Sequence, residues 1–124
     1  MNLNQVTLPV HSIPESVAFY KQLGFKQIVA APHYVRFKSP HGEATFSLHL
    51  SEKTFSNGAV VYFECERLDR VVATLMDKGV SFKSQPTDQG WLWREARLCD
   101  PSGNELCLYW AGEHRLNPPW RLTE

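Results

Sequence analysis

Residues 5–25 read QVTLPVHSIPESVAFYKQLGF, and residues 59–79 read AVVYFECERLDRVVATLMDKG. The two stretches follow one plan. Residues 3–10 carry Val6, Leu8 and Val10 at every second position, the period of a strand with one apolar face. Pro9 cannot donate to a ladder, which places this strand at a sheet edge or frays it there. Ser12 is positioned to cap a helix over residues 14–23, with Pro14 in its first turn and Glu15 near the positive dipole end. Gly24 ends it. In the second stretch, residues 59–64 read as a strand. Leu68, Val71, Val72, Leu75 and Met76 form an i, i+3, i+4, i+7, i+8 stripe over residues 68–78, and Gly79 stops that helix.

Working outward, each Gly opens three further extended runs. After Gly24 these are residues 27–31, 34–39 and 43–50, with Pro32-His33 and Pro40-His41-Gly42 as turns. After Gly79 they are residues 80–83, 93–99 and 105–110, with residues 85–90 as a loop and Asp100-Pro101-Ser102-Gly103-Asn104 as a strong turn. The expected fold class is α+β: two β-α-β-β-β modules, about residues 1–54 and 58–112. They make one domain over residues 1–112, its helices outside a curved eight-stranded surface around a cup. Residues 51–58 read as a polar, flexible linker. Residues 113–124 read as an irregular tail that docks through Trp120.

Lys plus Arg number 13 and Asp plus Glu number 13, so the chain offers no basic face for a nucleic acid. No apolar run approaches the ~20 residues of a membrane span, and no secretory leader is expected. Cys65, Cys99 and Cys107 are odd in number and lack zinc-like spacing, which suggests reduced thiols and a cytoplasmic location. Open sheet edges, together with Trp91, Trp93, Trp110 and Trp120, suggest a homodimer. Whether modules pair within one chain or across two is left open.

The stretch at residues 5–25, with Ser-x-x-Phe-Tyr and Leu-Gly-Phe, resembles the opening of the vicinal oxygen chelate superfamily. The stretch REARLCDPSGNELCLYW at residues 94–110 resembles its closing hairpin, marked by Asp-Pro-x-Gly-Asn. That superfamily includes glyoxalase I, extradiol dioxygenases, fosfomycin-resistance enzymes and bleomycin-binding resistance proteins. The resemblance spans residues 3–110 and implies the glyoxalase/bleomycin resistance/dihydroxybiphenyl dioxygenase fold. One fold hosts many activities, so it does not choose among them.

In metal-using members of that superfamily the ligands come from the first and last strand of each module. By motif these positions fall on Gln5, His49, Ala59 and Cys107. Ala59 has no donor and Gln5 is a weak one. The expectation is therefore no catalytic metal; the alternative is zinc, nickel, iron or manganese held by Gln5, His49 and Cys107. Cys107 also reads as a small buried hydrophobe.

Alternation projects Gln5, Thr7, Thr45, Ser47, His49, Val61, Phe63, Glu95, Arg97, Cys107 and Tyr109 toward the side of those positions. Aromatic walls with a few polar groups suit a small-molecule pocket. From this set, with Trp93, the candidate ligand-binding residues are Gln5, Thr7, Ser47, His49, Phe63, Trp93, Glu95, Arg97, Cys107 and Tyr109. The plainer readings are that Glu95 and Arg97 pair with each other or stay solvated, and that Trp91 and Trp93 pack on a partner chain or the tail. His11, His33, His41 and His114 read as surface residues. The leading expectation is a metal-independent small-molecule-binding protein of the glyoxalase/bleomycin-resistance type. The alternative is a lyase or isomerase resembling glyoxalase I, with His49 or Glu95 as general base. An extradiol dioxygenase is less favoured, because no His-His-Glu iron triad is visible.

Overall fold

A computed structural model describes residues 1–123. Its element order is β1 (Gln5–Val10), α1 (Ile13–Gln22), β2 (Lys26–Ala31), β3 (Tyr34–Lys38), β4 (Thr45–Leu50), β5 (Val60–Glu64), α2 (Leu68–Asp77), β6 (Thr87–Asp88), β7 (Arg94–Cys99) and β8 (Glu105–Trp110). The eight strands make two four-stranded sheets with orders β1-β4-β3-β2 and β5-β8-β7-β6. These are the same topology written twice. In each sheet the first and last strands run parallel and the other pairs antiparallel. No helix among the described residues is long and apolar enough to cross a membrane.

The chain divides into two compact units, Met1–Ala59 with Asp100–Asn104, and Val60–Cys99 with the residues from Glu105 onward. The turn of the second repeat thus folds with the first unit.

In the first unit the Ser12 hydroxyl accepts from Glu15 N–H, as its position predicts. Leu8, Val10, Val35, Phe37, Phe46 and Leu48 form the buried sheet face, against which α1 sets Tyr20. The Tyr20 ring lies 4.9 Å from Phe46 and 5.8 Å from Phe37. β1 is an edge strand, where Pro9 costs no ladder bond on its open side. Residues 51–58 are held rather than free: Phe55 stacks on His11 at 4.3 Å and Asn57 donates to Asn104 Oδ1 at 2.8 Å.

In the second unit Leu68, Val72 and Leu75 of α2 are buried, as are Ala96, Leu98, Leu106 and Leu108 of the sheet. Both helices end alike. Gly24 and Gly79 take φ of 103° and 94°, and the next residue's N–H reaches back five residues, Phe25 to Tyr20 O and Val80 to Leu75 O. That is a Schellman motif, and a positive φ at its closing residue favours glycine.

Four expectations change here. Residues 80–83 form no strand, because Val80 serves the helix cap and is buried there. The short edge strand is instead Thr87–Asp88, within the stretch read as a loop, and it pairs with Glu95 and Arg94. The tail begins with a 3-10 helix, Gly112–Arg115, whose entry is fixed by Glu64 Oε2 accepting from Ala111 and Gly112 N–H, both at 3.1 Å. His114 within it is half-buried rather than a surface residue.

Candidate functional site

The second sheet has one buried aliphatic face and one polar and aromatic face. Alternation along β7 sends Ala96 and Leu98 to the first, Glu95 and Arg97 to the second. Along β8, Cys107 and Tyr109 join Glu95 and Arg97. The ladder sets Glu95 opposite Tyr109 and Arg97 opposite Cys107. Trp93 stacks on Tyr109 with centroids 4.7 Å apart, and Tyr62 stands edge-on to both rings at 5.8 and 5.5 Å. Cys107 is fully buried beneath them, next to Val60.

Glu95 is only 4% exposed, and each of its two oxygens accepts a hydrogen bond. Oε2 takes the Trp91 indole N–H at 2.7 Å and Oε1 takes Arg97 Nη2 at 3.1 Å. Arg97 Nη2 also donates to Tyr62 Oη at 3.1 Å, with the guanidinium 5.6 Å above the Tyr62 ring.

Among the expected site residues, Trp93, Glu95, Arg97, Cys107 and Tyr109 come together on this face. Phe63 does not, nor does Val61. The ladder puts Tyr62 beside Cys107, and neighbours in a strand point to opposite faces, so Phe63 lies on the other side. Tyr62 takes its place.

The first sheet carries its own polar face. Gln5 Nε2 donates to Ser47 Oγ at 2.8 Å, and its Oε1 accepts from Thr45 Oγ1. Thr7 lies 3.4 Å from Gln5 Nε2. Tyr34 Oη is 2.5 Å from Ser47 Oγ and accepts from Arg36 Nε and Nη2 at 3.2 and 3.0 Å. Hydrogen bonding to Ser47 and then to Arg36 holds the Tyr34 phenol below its usual pKa. His49 is exposed at the end of this face, opposite Pro9 and Tyr34. Tyr34 and Arg36 were not legible as site residues from the sequence, because Ser47, which fixes Tyr34, arrives from β4, and Gln5, which fixes Ser47, from β1.

The duplicated register corrects the ligand positions. Gln5 pairs with Thr45 as Val60 pairs with Glu105, so Val60, not Ala59, is the counterpart of Gln5. Ser47, not His49, is the counterpart of Cys107; His49 corresponds to Tyr109. The four positions therefore hold an amide already engaged, a hydroxyl, an alkyl group and a thiol. Burial, and then Glu95, push that thiol up to about 12. Among the described residues no three His, Cys, Asp or Glu side chains group in a way that could hold a metal ion. This donor set does not fit a tightly held divalent ion.

Comparison with known proteins bears on the whole chain. The family model described as Glyoxalase/Bleomycin resistance protein/Dioxygenase superfamily matches residues 2–108. A glyoxalase/bleomycin resistance protein/dioxygenase from Nocardioides superposes with a TM-score of 0.78 at 21% identity, covering 99% of this chain and 90% of that one. A superfamily member from Sphaerobacter thermophilus gives 0.74 at 23% identity, covering 88% and 96%. A bleomycin-binding protein complexed with bleomycin gives 0.73 at 18% identity, covering 89% and 98%. No curated protein matches the sequence.

Proposed function

The chain belongs to the glyoxalase/bleomycin resistance protein/dioxygenase superfamily, and from that premise we propose that it is a small-molecule-binding protein that works without a catalytic metal. The observation that carries this reading is the aromatic group on the second sheet. Trp93 and Tyr109 are stacked, Tyr62 closes one side, and Arg97 is held over it by a buried Glu95. Flat apolar surfaces beside a fixed polar group are what a flat, amphipathic ligand needs. The bleomycin complex of a structural neighbour supports small-molecule binding as a use of this fold. Glu95 orients Trp91 and Arg97 in this reading, and both its oxygens are engaged, which argues against a free general base.

The test is a ligand screen read by tryptophan fluorescence and thermal shift, with elemental analysis alongside. Flat ligands should stabilise the protein, with the effect lost in Trp93→Ala. Metal content after dialysis should be well under one equivalent. Stoichiometric metal that disappears in His49→Ala would overturn the metal-free part and favour a lyase or isomerase. Three free thiols support a reducing, cytoplasmic setting. The exposed Trp110 and Trp120 support a homodimer, measurable by light scattering.

A further inference from the structure

The duplication supplies an internal comparison. Arg36 on β3 stands opposite Ser47, and Arg97 on β7 stands opposite Cys107, the counterpart of Ser47. The two arginines therefore occupy one position in two copies of a module. Each donates to a tyrosine hydroxyl. They differ in the residue two places earlier. Before Arg97 it is Glu95, whose carboxylate lies 3.1 Å away and neutralises the guanidinium. Before Arg36 it is Tyr34, a phenol. Among the described residues no carboxylate lies within ion-pair distance of Arg36, and Tyr34, which it bonds, and Ser47, which it faces, carry no acid group.

The geometry also shows which edge of Arg36 is spare. Nε and Nη2 converge on the Tyr34 oxygen, so that side of the planar fork is occupied. The Nη1/Nη2 edge has no protein acceptor among the described residues. Two parallel N–H groups in a plane match the two oxygens of a carboxylate or phosphate. Tyr34 is in turn fixed by Ser47, and Ser47 by Gln5, so the guanidinium is held in place from behind. A half-buried cation that keeps its fork open and lacks a counter-ion is preorganised for an anion.

We propose that Arg36, braced by Tyr34 and Ser47, is an oxyanion-binding subsite on the first sheet that receives a carboxylate or phosphoryl group of a ligand. It does not depend on the aromatic face of the second sheet.

The experiment titrates the full chain by calorimetry with sodium benzoate and, separately, inorganic phosphate, at constant ionic strength against chloride. Saturable binding of either anion is expected. Arg36→Met should weaken it about tenfold or more, as loss of a bidentate charge-assisted contact implies. Arg36→Lys keeps the charge without the fork and should lose several-fold, which guards against a misfolded methionine variant. Lys38→Met, another cation on the same strand, should change nothing. Benzoate alone would assign the carboxylate, phosphate alone the phosphoryl group. The proposal is overturned if neither anion binds better than chloride, or if Arg36→Lys binds as well as the parent. It is also overturned if ultraviolet difference spectra show Tyr34 ionised at neutral pH, since the phenolate would then be the counter-ion.

Discussion

The Trp91 indole N–H points at Glu95 Oε2, 2.7 Å away, while the other oxygen of the same carboxylate holds Arg97. One buried acid thus orients an exposed tryptophan and a half-exposed cation. Glu95→Ala should remove both anchors and leave Arg97 without a counter-charge. The expected loss is about 2–3 kcal/mol in urea unfolding, below the full range for a broken buried pair because Arg97 still reaches water. Trp91 emission should shift red in the folded variant. An unchanged emission would mean that the carboxylate does not position the indole.

A second prediction concerns Asp100, which accepts four hydrogen bonds. Tyr20 Oη donates at 2.7 Å; Ser102 N, Asn104 N and Asn104 Nδ2 each donate at 2.9 Å. Asn104 also donates to Pro9 O at 2.7 Å, tying the turn to β1. Tyr20→Phe leaves one acceptor short and should cost roughly 1–3 kcal/mol. Asp100→Ala strands three further donors and should cost more. Chemical denaturation that ranked them in the opposite order would contradict this hub.

The same pair gives an alkaline limit. Burial first, and then Asp100, push the Tyr20 phenol well above its usual value. The folded state therefore keeps this proton at pH values where the unfolded chain, titrating near ~10, releases it. The unfolded state then binds fewer protons, so stability falls as pH rises past about 10. Tyr20→Phe should flatten that part of the profile, measured as the change in urea midpoint between neutral and alkaline pH.

What was legible in the sequence was what is decided locally. Ser12, Gly24, Gly79 and the Asp100–Asn104 turn act on residues within a few positions, and each does what its type implies. The facing of β5 was not legible, because residues 59–63 are all apolar and give no alternation to phase; only pairing with β8 shows that Tyr62 lies beside Cys107. Thr87–Asp88 is two residues long and exists only because β7 is there to pair with it. Arg36 carries no signal in the sequence, because the Gln5–Ser47–Tyr34 chain that braces it is assembled from β1, β4 and β3. The metal positions slipped by one and two residues, since motif alone does not carry register.

Leu92 supplies a fourth prediction. It is the single non-glycine residue with positive φ among those described, at 69°, and it remains 45% exposed. It closes the tight turn between β6 and β7, where Leu92 N–H bonds Gln89 O at 3.0 Å. A left-handed conformation costs a side-chain-bearing residue roughly 1–2 kcal/mol, and glycine relieves it at some cost in chain entropy. Leu92→Gly should therefore raise the melting temperature slightly. If the strain serves contact with a ligand, the same change should weaken ligand binding. A lower melting temperature would show that the Leu92 side chain packs well enough to offset its backbone.

The last prediction concerns the thiols. Burial, and then Glu95, push Cys107 up to about 12, and burial, and then Glu64, push Cys65 up to about 11. Reactivity and metal binding both belong to the thiolate. At neutral pH the thiolate fraction of Cys107 is on the order of one in a hundred thousand, and its sulfur is fully buried. The native protein should therefore leave Cys107 unmodified by a small disulfide reagent over the time in which denatured protein titrates all three cysteines. Zinc should not change that protection, because capturing the thiolate would mean expelling a proton from a site whose acid neighbour opposes the new charge. Peptide mapping after timed labelling reads both outcomes. Rapid labelling of Cys107 in the folded protein would show that this face opens readily. Protection that appeared only with zinc would restore Cys107 as a metal ligand.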